Sequence, residues 1–299
     1  MKDKVLVFGS KGMLGSYLTN VLEDSGYDVV KSALEKDEGE DIHVVDITDE
    51  KSVDSLIKNV KPDWVINCAA YTNVNKAESE PEVANAVNAL APKYMVNVCK
   101  DINIPLVHIS TDQVFGDDRK EGYTEDCTDF KPLNVYGSTK LDGEKNILES
   151  GCTSYIFRTS WLFGPNATNF IKFVTDTASD PEKEIKIVTD EIGCPTYVGD
   201  LTERVEMALD GEIEPGIYHA CSKNALSRYE FAKEILEAQD IEKDIIPIDS
   251  SMFTRPAKVP SVSILVNTKL PEARTSYEML EEYVKEVKNE KDCYTEKLS

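Results

Sequence analysis

Tyr136 and Lys140 are the residues whose chemistry and spacing point most directly to catalysis. Their separation by four positions places both side chains on one face of a helix, about 6 Å apart. A phenol has a reference pKa of about 10, but a neighbouring ammonium favours its phenolate form. We therefore expect Lys140 to lower the pKa of Tyr136, so that the tyrosine can exchange a proton with a carbonyl oxygen at neutral pH.

A glycine-rich turn near the N-terminus has the spacing of a dinucleotide-binding site. Gly9, Gly12 and Gly15 follow the apolar run from Val5 to Phe8 and open a predicted helix. Glycines there permit a tight turn, close approach of the backbone to a pyrophosphate and close packing of helix on strand. The free N–H groups of the helix N-terminus would bind the phosphates. The residues predicted to bind the cofactor here are Gly9, Ser10, Lys11, Gly12, Met13 and Leu14.

Lys31 lies at the end of the second predicted strand, where folds of this kind recognise the adenosine ribose. An acid at this position binds the 2′-hydroxyl of NAD, whereas a basic residue accommodates the 2′-phosphate of NADP. Because the first acid after this strand is Glu35, we expect Lys31 to favour NADP(H) over NAD(H). Asp46, at the end of the third predicted strand, is expected on the adenine side of the cofactor.

Thr111 lies in the segment Ser110–Asp112, which ends the fifth predicted strand. The carboxyl ends of parallel strands are where ligands bind in open α/β sheets. We expect Thr111 to hydrogen-bond the substrate carbonyl oxygen, Tyr136 to protonate it and Lys140 to hold the nicotinamide ribose. Together the three residues predict the reduction of a ketone by hydride transfer.

The elements that must position these residues follow a regular alternation. Short apolar runs alternate with helical patterns over the first half of the chain, which predicts a mostly parallel sheet covered by helices on both faces. The pattern predicts one long helix over Pro81 to Lys100 and another, carrying the Tyr–Lys pair, over Asn134 to Leu148. The predicted fold class is α/β, a Rossmann-type doubly wound parallel sheet with a smaller α/β C-terminal substrate lobe. Residues 1–160 would bind the dinucleotide, and residues 161–299, interleaved with them, would mainly bind the substrate.

The composition excludes several functional classes. The chain has 299 residues, of which 41% are hydrophobic, and a net charge of -22, which would repel nucleic acid and anionic membranes. We find no transmembrane stretch and no signal peptide, and we expect a cytoplasmic protein. The seven cysteines are scattered without a Cys-x-x-Cys pair, so neither a disulfide framework nor a zinc site is expected.

As a set, the motifs resemble the extended short-chain dehydrogenase/reductase superfamily and are most similar to its dTDP-4-dehydrorhamnose reductase family. The matching segments span most of the chain and occur in the same order as in the family. The matching segments are Gly9–Gly15, Ile66–Val74, Asn88–Pro92, Ser110–Phe115, Tyr136–Glu144, Arg158–Gly164 and Asp190–Thr196.

The resemblance implies the cofactor, the substrate and further site residues. A nicotinamide cofactor, NADP(H) or NAD(H), would reduce the 4-keto group of a nucleotide-sugar to give a 6-deoxyhexose. Besides the glycine turn, the implied cofactor contacts are Asp46, Ile47, Cys68, Ala69, Ala70, Tyr71, Tyr136 and Lys140. The implied substrate contacts are Val74, Thr111, Gln113, Trp161 and Arg255. We expect no nucleic-acid or membrane partner, and a homodimer as the assembly.

Three positions depart from the family's pattern. Gln113 stands where the family usually has tyrosine, so the contact with the sugar is expected to differ there. Val259 replaces the arginine of an Arg-Pro pair; if that arginine holds the diphosphate, Arg255 or Lys258 must substitute for it, or the substrate differs. Tyr17 stands where some members have a metal-binding glutamate, so no metal is expected.

Two alternatives stay open at this stage. An epimerase of the same superfamily would use the same Tyr–Lys pair but retain its cofactor, whereas a reductase must exchange it at each turnover. A 4,6-dehydratase is disfavoured, because Gln113 cannot act as the base that a glutamate provides there. The second alternative is a non-catalytic, NADP-binding regulatory subunit resembling that of methionine adenosyltransferase, which would co-purify with its synthetase.

Overall fold

The computed structural model describes residues 2–165 and 169–296 as alternating strands and helices. In chain order, the strands are β1 (Lys4–Phe8), β2 (Asp28–Ala33), β3 (His43–Val44), β4 (Trp64–Asn67), β5 (Leu106–Thr111), β6 (Ser154–Thr159), β7 (Leu162–Phe163), β8 (Ile185–Val188), β9 (Ile192–Gly193), β10 (Thr196–Tyr197), β11 (Gly216–His219), β12 (Leu226–Ser227), β13 (Ile245–Ile248) and β14 (Val262–Ser263). The α-helices are α1 (Met13–Asp24), α2 (Glu50–Val60), α3 (Val74–Ala77), α4 (Pro81–Asn85), α5 (Ala91–Asp101), α6 (Val135–Ser150), α7 (Phe170–Ala178), α8 (Val198–Leu209), α9 (Arg228–Ala238) and α10 (Ser276–Glu296).

Seven of these strands form one sheet in the order β11-β6-β5-β4-β1-β2-β3, and every neighbouring pair is parallel. This is the strand order of the Rossmann fold with β11 added beyond β6. The predicted Rossmann-type sheet is therefore confirmed. Because all seven strands run in the same direction, the residues that follow β1, β4 and β5 meet at one edge of the sheet.

Helices cover both faces of the sheet because successive side chains of a buried strand point in opposite directions. Val5 and Val7 of β1 join the apolar cluster formed with α1 and α8. Leu6 and Phe8 join the cluster on the other face, which contains residues of α2 and α5. All four side chains are fully buried, so β1 lies at the centre of the core.

Helix α8 was not predicted from the sequence, although it packs on α1 and buries Val198, Leu201 and Val205. The helix starts directly after the short strand β10, and its N-cap residue, Tyr197, makes no side-chain capping hydrogen bond. A polar capping residue is the local signal that marks a helix start in a sequence. Without that signal, the apolar spacing alone did not indicate a helix here.

The long helix predicted over Pro81 to Lys100 is present, but it is divided by a π-helical segment, Ala86–Leu90, between α4 and α5. Inserted π-turns of this kind occur often at functional sites. Here the segment carries Asn88, whose side chain accepts a hydrogen bond from the backbone nitrogen of Tyr71 and donates one to its carbonyl. The π-turn therefore fixes the loop after β4 against the helix layer.

The C-terminal half contributes to both the main sheet and the smaller ones. β11 pairs with β6, while β7/β10, β8/β13 and β9/β12/β14 form three short sheets beside the main one. Helices α7, α9 and α10 pack around them. Within the residues described, no helix combines the length and apolarity needed to span a membrane.

Candidate active site

A cleft of about 840 Å³ opens at the edge of the main sheet where β1, β2, β4 and β5 end. Clefts at this edge are the usual ligand sites of open α/β sheets. Most residues predicted for the site line this cleft. They are Gly9, Lys11, Gly12, Met13, Leu14, Asp46, Ile47, Cys68, Ala69, Ala70, Tyr71, Val74, Thr111, Gln113, Tyr136, Lys140 and Trp161.

The glycine turn is shaped to admit a ligand against its backbone. Gly9 has a φ of 78°, and a Cβ at this position would lie 2.7 Å from the backbone nitrogen of Ala69. A Cβ at Gly15 would overlap the carbonyl oxygen of Gly9, so α1 can approach the turn only with glycine there. Gly12, the N-cap residue of α1, has no side chain to occupy the helix N-terminus. The first N–H groups of α1 are thus available to the pyrophosphate of a dinucleotide.

The two residues that follow the first glycine point in different directions. The hydroxyl of Ser10 donates to the backbone carbonyl of Ser32 at 3.1 Å, so Ser10 supports the turn from behind and does not line the cleft. Lys11 does line the cleft, and its ammonium pairs with Asp37 at 2.7 Å and Glu40 at 3.0 Å. These ion pairs join the loop after β2 to the glycine turn.

Lys31 lies outside the cleft, contrary to its predicted cofactor role. Its ammonium pairs with Glu23 of α1 at 2.9 Å. Lys31 therefore points to α1, whereas the residues that follow it line the cleft. Residues 32–35 form this part of the wall, so its charged residue is Glu35 and not Lys31.

Thr111, Tyr136 and Lys140 meet at the end of β5. Thr111 closes that strand, and the other two face the cleft from consecutive turns of α6. The hydroxyl of Thr111 lies within hydrogen-bonding reach of the phenol of Tyr136. The Nζ of Lys140 donates to the backbone carbonyl of Ile109 at 2.5 Å, which holds the amine against the strand.

Burial, rather than the neighbouring lysine, governs the pKa of Tyr136. Burial raises this pKa to about 12; the hydrogen bond between Tyr136 and Thr111 opposes the rise and the charge of Asp112 adds to it. The pKa of Lys140 is lowered to about 8 by burial, against the opposing charge of Glu144. The prediction that Lys140 lowers the pKa of Tyr136 is therefore wrong for this structure. A phenol that stays protonated at neutral pH is nevertheless the form that a proton donor requires.

Asn134 fixes the start of α6 and thereby the position of the Tyr–Lys pair. Its side-chain oxygen accepts a hydrogen bond from the backbone nitrogen of Gly137 at 2.8 Å, which caps the helix. Its amide nitrogen donates to the side-chain oxygen of Gln113 at 2.8 Å and to the backbone carbonyl of Lys258 at 2.7 Å. Gln113 thus lines the cleft with its carbonyl already bound, which leaves its NH₂ group to face a ligand.

A buried ion pair holds α6 against the sheet. The guanidinium of Arg158 on β6 donates two hydrogen bonds to the carboxylate of Glu144 on α6, at 2.9 and 2.6 Å, and both side chains are buried. The hydroxyl of Ser110 on β5 donates to the same carboxylate at 2.5 Å. Paired charges with this many hydrogen bonds are strongly destabilised by loss of one partner. The pair therefore fixes the helix that carries Lys140 one turn away from Glu144.

Trp161 faces the cleft from the turn that follows β6. Its φ of 46° lies in the left-handed region, which bulky residues rarely adopt outside functional sites. Its indole packs so closely on Gly193 that a Cβ there would lie 2.7 Å from the ring. Arg255, predicted to contact the substrate with Trp161, does not line the cleft, because its guanidinium pairs with Glu191.

Besides Glu35, two further charged residues of the cleft were not predicted for the site. Asp112 is buried directly after Thr111, and burial raises its pKa. Arg228, the first residue of α9, brings its guanidinium over the ring of Trp161. Asp112 could have been included from its place in the segment Ser110–Asp112, but no local pattern marks Arg228, because only the fold brings α9 to the cleft.

Comparison with known proteins identifies relatives along almost the whole chain. The family model described as RmlD substrate binding domain matches residues 2–292. The chain is 37% identical over 276 residues to dTDP-4-dehydrorhamnose reductase of Mycolicibacterium smegmatis, covering 91% of this chain and 81% of that protein. It is 34% identical to the spore coat polysaccharide biosynthesis protein SpsK of Bacillus subtilis, covering 95% and 97%. The crystal structure of dTDP-4-dehydrorhamnose reductase from Bacillus anthracis in complex with NADP superposes with a TM-score of 0.88 at 32% identity, covering 96% of this chain and all of that one.

Proposed function

The chain belongs to the RmlD substrate binding domain family, and we propose that it is an NAD(P)H-dependent reductase of a nucleotide-linked 4-keto-6-deoxysugar, as its relatives named dTDP-4-dehydrorhamnose reductase indicate. The single observation that carries the proposal is the meeting of Thr111, Tyr136 and Lys140 with the glycine turn in one cleft. That arrangement supports Tyr136 as a proton donor that acts beside a bound dinucleotide. It is the set of groups that reduction of a ketone requires.

The side chains divide the chemistry of the reduction between them. When bound, a reduced nicotinamide would supply the hydride for carbon 4 of the sugar. Tyr136 donates its phenolic proton to the former carbonyl oxygen, so the ketone becomes a secondary alcohol and the tyrosine a phenolate that solvent reprotonates. Thr111, whose hydroxyl donates to Asp112 at 2.9 Å in the structure, turns this proton to the same oxygen and orients that oxygen towards the phenol. Lys140, whose pKa of about 8 leaves it mostly protonated at pH 7, is proposed to hold the nicotinamide ribose.

Both parts of the chain line the cleft, which supports a division of labour between cofactor binding and substrate binding. Residues before position 160 form the glycine turn and the walls around it, whereas Trp161 and Arg228 come from the later part of the chain. Val74 and Gln113 line the cleft and are proposed to contact the sugar. We keep the homodimer and the cytoplasmic location, both expected from the sequence, as proposals as well.

The experiment is to follow nicotinamide absorbance with a panel of 4-keto sugar nucleotides, starting with dTDP-4-dehydrorhamnose, and with NADPH and NADH in turn. A reductase oxidises one equivalent of cofactor for each equivalent of sugar reduced. The sugar product is identified by chromatography against the reduced standard. Absence of cofactor oxidation with every substrate of the panel would exclude the proposed reaction.

The same assay separates the two alternatives. An epimerase would interconvert sugar nucleotides with no net oxidation of added cofactor. A regulatory subunit would bind NADP(H) without turnover and would change the activity of a methionine adenosyltransferase mixed with it. The relatives named as reductases and the complete Thr–Tyr–Lys group both favour the reductase over these alternatives.

A further inference from the structure

Arg228 is held at the wall of the cleft by the start of α9. Ser227 caps this helix through a reciprocal pair of hydrogen bonds with Glu230, and the backbone nitrogen of Arg228 donates to the carbonyl of Glu191 at 3.0 Å. The guanidinium carbon lies 3.6 Å from the centroid of the Trp161 indole and 5.1 Å from the ring of Phe170. A guanidinium stacked in this way keeps its N–H edges free to donate in the plane of the group.

The hydrogen-bonding capacity of this guanidinium is not used by the protein. Among residues 2–165 and 169–289, whose side chains are described, none accepts a hydrogen bond from Arg228 or lies within ion-pair distance of it. Asp112 is the acid whose charge acts on Arg228, while burial lowers the pKa of the guanidinium to about 10. The side chain of Arg228 is half-buried, so its unused N–H groups face the cleft, where a ligand can accept their hydrogen bonds.

Arg228 faces the part of the cleft where the sugar would react. Asp112 directly follows Thr111, and its charge acts on both Tyr136 and Arg228. Asp112, Arg228 and Trp161 all line the cleft. Asp112 thus links the guanidinium to the end of β5, where Thr111 and Tyr136 meet.

The charge of Asp112 determines which chemical group can bind beside Arg228. A phosphate beside Arg228 would also approach a carboxylate, so that repulsion would offset much of the attraction to the guanidinium. A sugar hydroxyl is neutral and both donates and accepts hydrogen bonds. It can accept a hydrogen bond from Arg228 and donate one to Asp112.

We propose that Arg228 determines substrate specificity by donating a hydrogen bond to the sugar hydroxyl on the ring carbon next to the reacting carbonyl. This inference rests on the proposed function, in which carbon 4 is the ketone. Of its two neighbours, carbon 5 bears the methyl group of the 6-deoxysugar, so the hydroxyl is that of carbon 3. A substrate without this hydroxyl leaves the guanidinium unpaired, and a site built to bind a hydroxyl rejects such an analogue.

The test compares binding of dTDP-rhamnose with binding of its 3-deoxy analogue by calorimetry in the presence of NADP. The wild-type protein is expected to prefer the hydroxylated sugar by roughly 10- to 100-fold, the range for a hydrogen bond to a charged group. Arg228→Met, which keeps a long apolar side chain on Trp161 but has no N–H donor, is expected to bind both sugars with nearly equal affinity. Arg255→Met, outside the cleft, is the matched control and should keep the wild-type preference.

Two further measurements keep the proposal open to refutation. Thymidine diphosphate alone should bind the wild-type protein and Arg228→Met equally, because it carries no sugar. A tenfold loss of thymidine diphosphate affinity in Arg228→Met would place the guanidinium on the diphosphate and overturn the proposal, as would an unchanged preference for the hydroxylated sugar. If Arg228→Met does not give a native circular dichroism spectrum, Arg228→Lys, which keeps a donor but loses the planar stack, must show an intermediate preference.

These measurements are independent of turnover. A protein that binds the sugars with the expected preference but reduces no 4-keto substrate would refute the proposed reaction while leaving the role of Arg228 intact. A protein that reduces the substrate with equal efficiency with and without the 3-hydroxyl would refute the role of Arg228 alone.

Discussion

The amine of Lys140 lies 3.3 Å from Nε2 of His108, at the end of a buried chain of polar groups. The side-chain oxygen of Asn67 accepts a hydrogen bond from the backbone nitrogen of Ala69. The NH₂ group of Asn67 therefore points to the other side and donates to Nδ1 of His108 at 3.1 Å. Since Nδ1 must accept there, the neutral imidazole carries its proton on Nε2, facing Lys140. An N–H directed at the amine favours its neutral form, in the same direction as burial.

Replacement of Lys140 by methionine is expected to change how stability depends on pH. The pKa of Lys140 falls from 10.5 to about 8 on folding, so between these values the unfolded chain binds more protons than the native protein. The wild-type free energy of unfolding should therefore rise with pH, relative to Lys140→Met, by up to about 3 kcal/mol between pH 8 and 10.5. Urea unfolding of both proteins across this range measures the difference, and parallel curves would contradict the lowered pKa. Lys145→Met, an exposed site on the same helix, is the control.

Tyr136→Phe is expected to lower kcat by roughly 10²- to 10⁴-fold, the usual contribution of a positioned acid. The substitution removes the donated proton and leaves the ring, so NADPH affinity and the fold should change little. Stopped-flow assay with the 4-keto substrate and fluorescence titration with NADPH measure the two effects. Tyr94→Phe, outside the cleft, should retain wild-type activity. Near-normal turnover in Tyr136→Phe would assign the proton to another donor.

Gly12→Ala is expected to affect mainly cofactor binding, whereas Gly15→Ala is expected to affect mainly the stability of the fold. A Cβ at Gly12 would lie 3.3 Å from the carbonyl oxygen of Gly9, which the turn can absorb, but it would project where a pyrophosphate approaches the helix. A Cβ at Gly15 would overlap that carbonyl and force α1 from the turn. We expect Gly12→Ala to lose NADPH affinity at near-native thermal stability, and Gly15→Ala to lose several degrees of melting temperature. Equal melting temperatures for the two variants would be inconsistent with this packing.

Cofactor preference should respond to Glu35 rather than to Lys31. The carboxylate of Glu35 lines the cleft after β2 and would repel a 2′-phosphate, whereas Lys31 is paired with Glu23 outside it. Glu35→Ser is expected to raise the ratio of kcat/KM for NADPH over NADH about fivefold, as for removal of one charge near the surface. Lys31→Ala and the same-loop control Glu38→Ser should leave the ratio within about twofold of wild type. A large fall of the ratio in Lys31→Ala would restore the role first predicted for that lysine.

Features that depend on neighbouring residues in the chain were predictable. The run from Val5 to Phe8 alternates between two buried faces, and the three glycines after it have local geometric requirements, so β1, its turn and α1 were predicted together. The spacing of Tyr136 and Lys140 placed them on one face of α6 for the same reason. Helix α8 lacks a side-chain cap, and the local pattern missed it.

By itself, the amino-acid sequence determined the alternation of strands and helices, the glycine turn and the Thr–Tyr–Lys group, because periodicity and spacing act within a few residues. Only the tertiary structure decided which side chains reach the cleft and how they ionise. It turned Lys31 towards α1, paired Arg255 with Glu191 and brought Arg228 onto Trp161. It also raised the pKa of Tyr136, because the desolvation of a side chain depends on every element that packs around it.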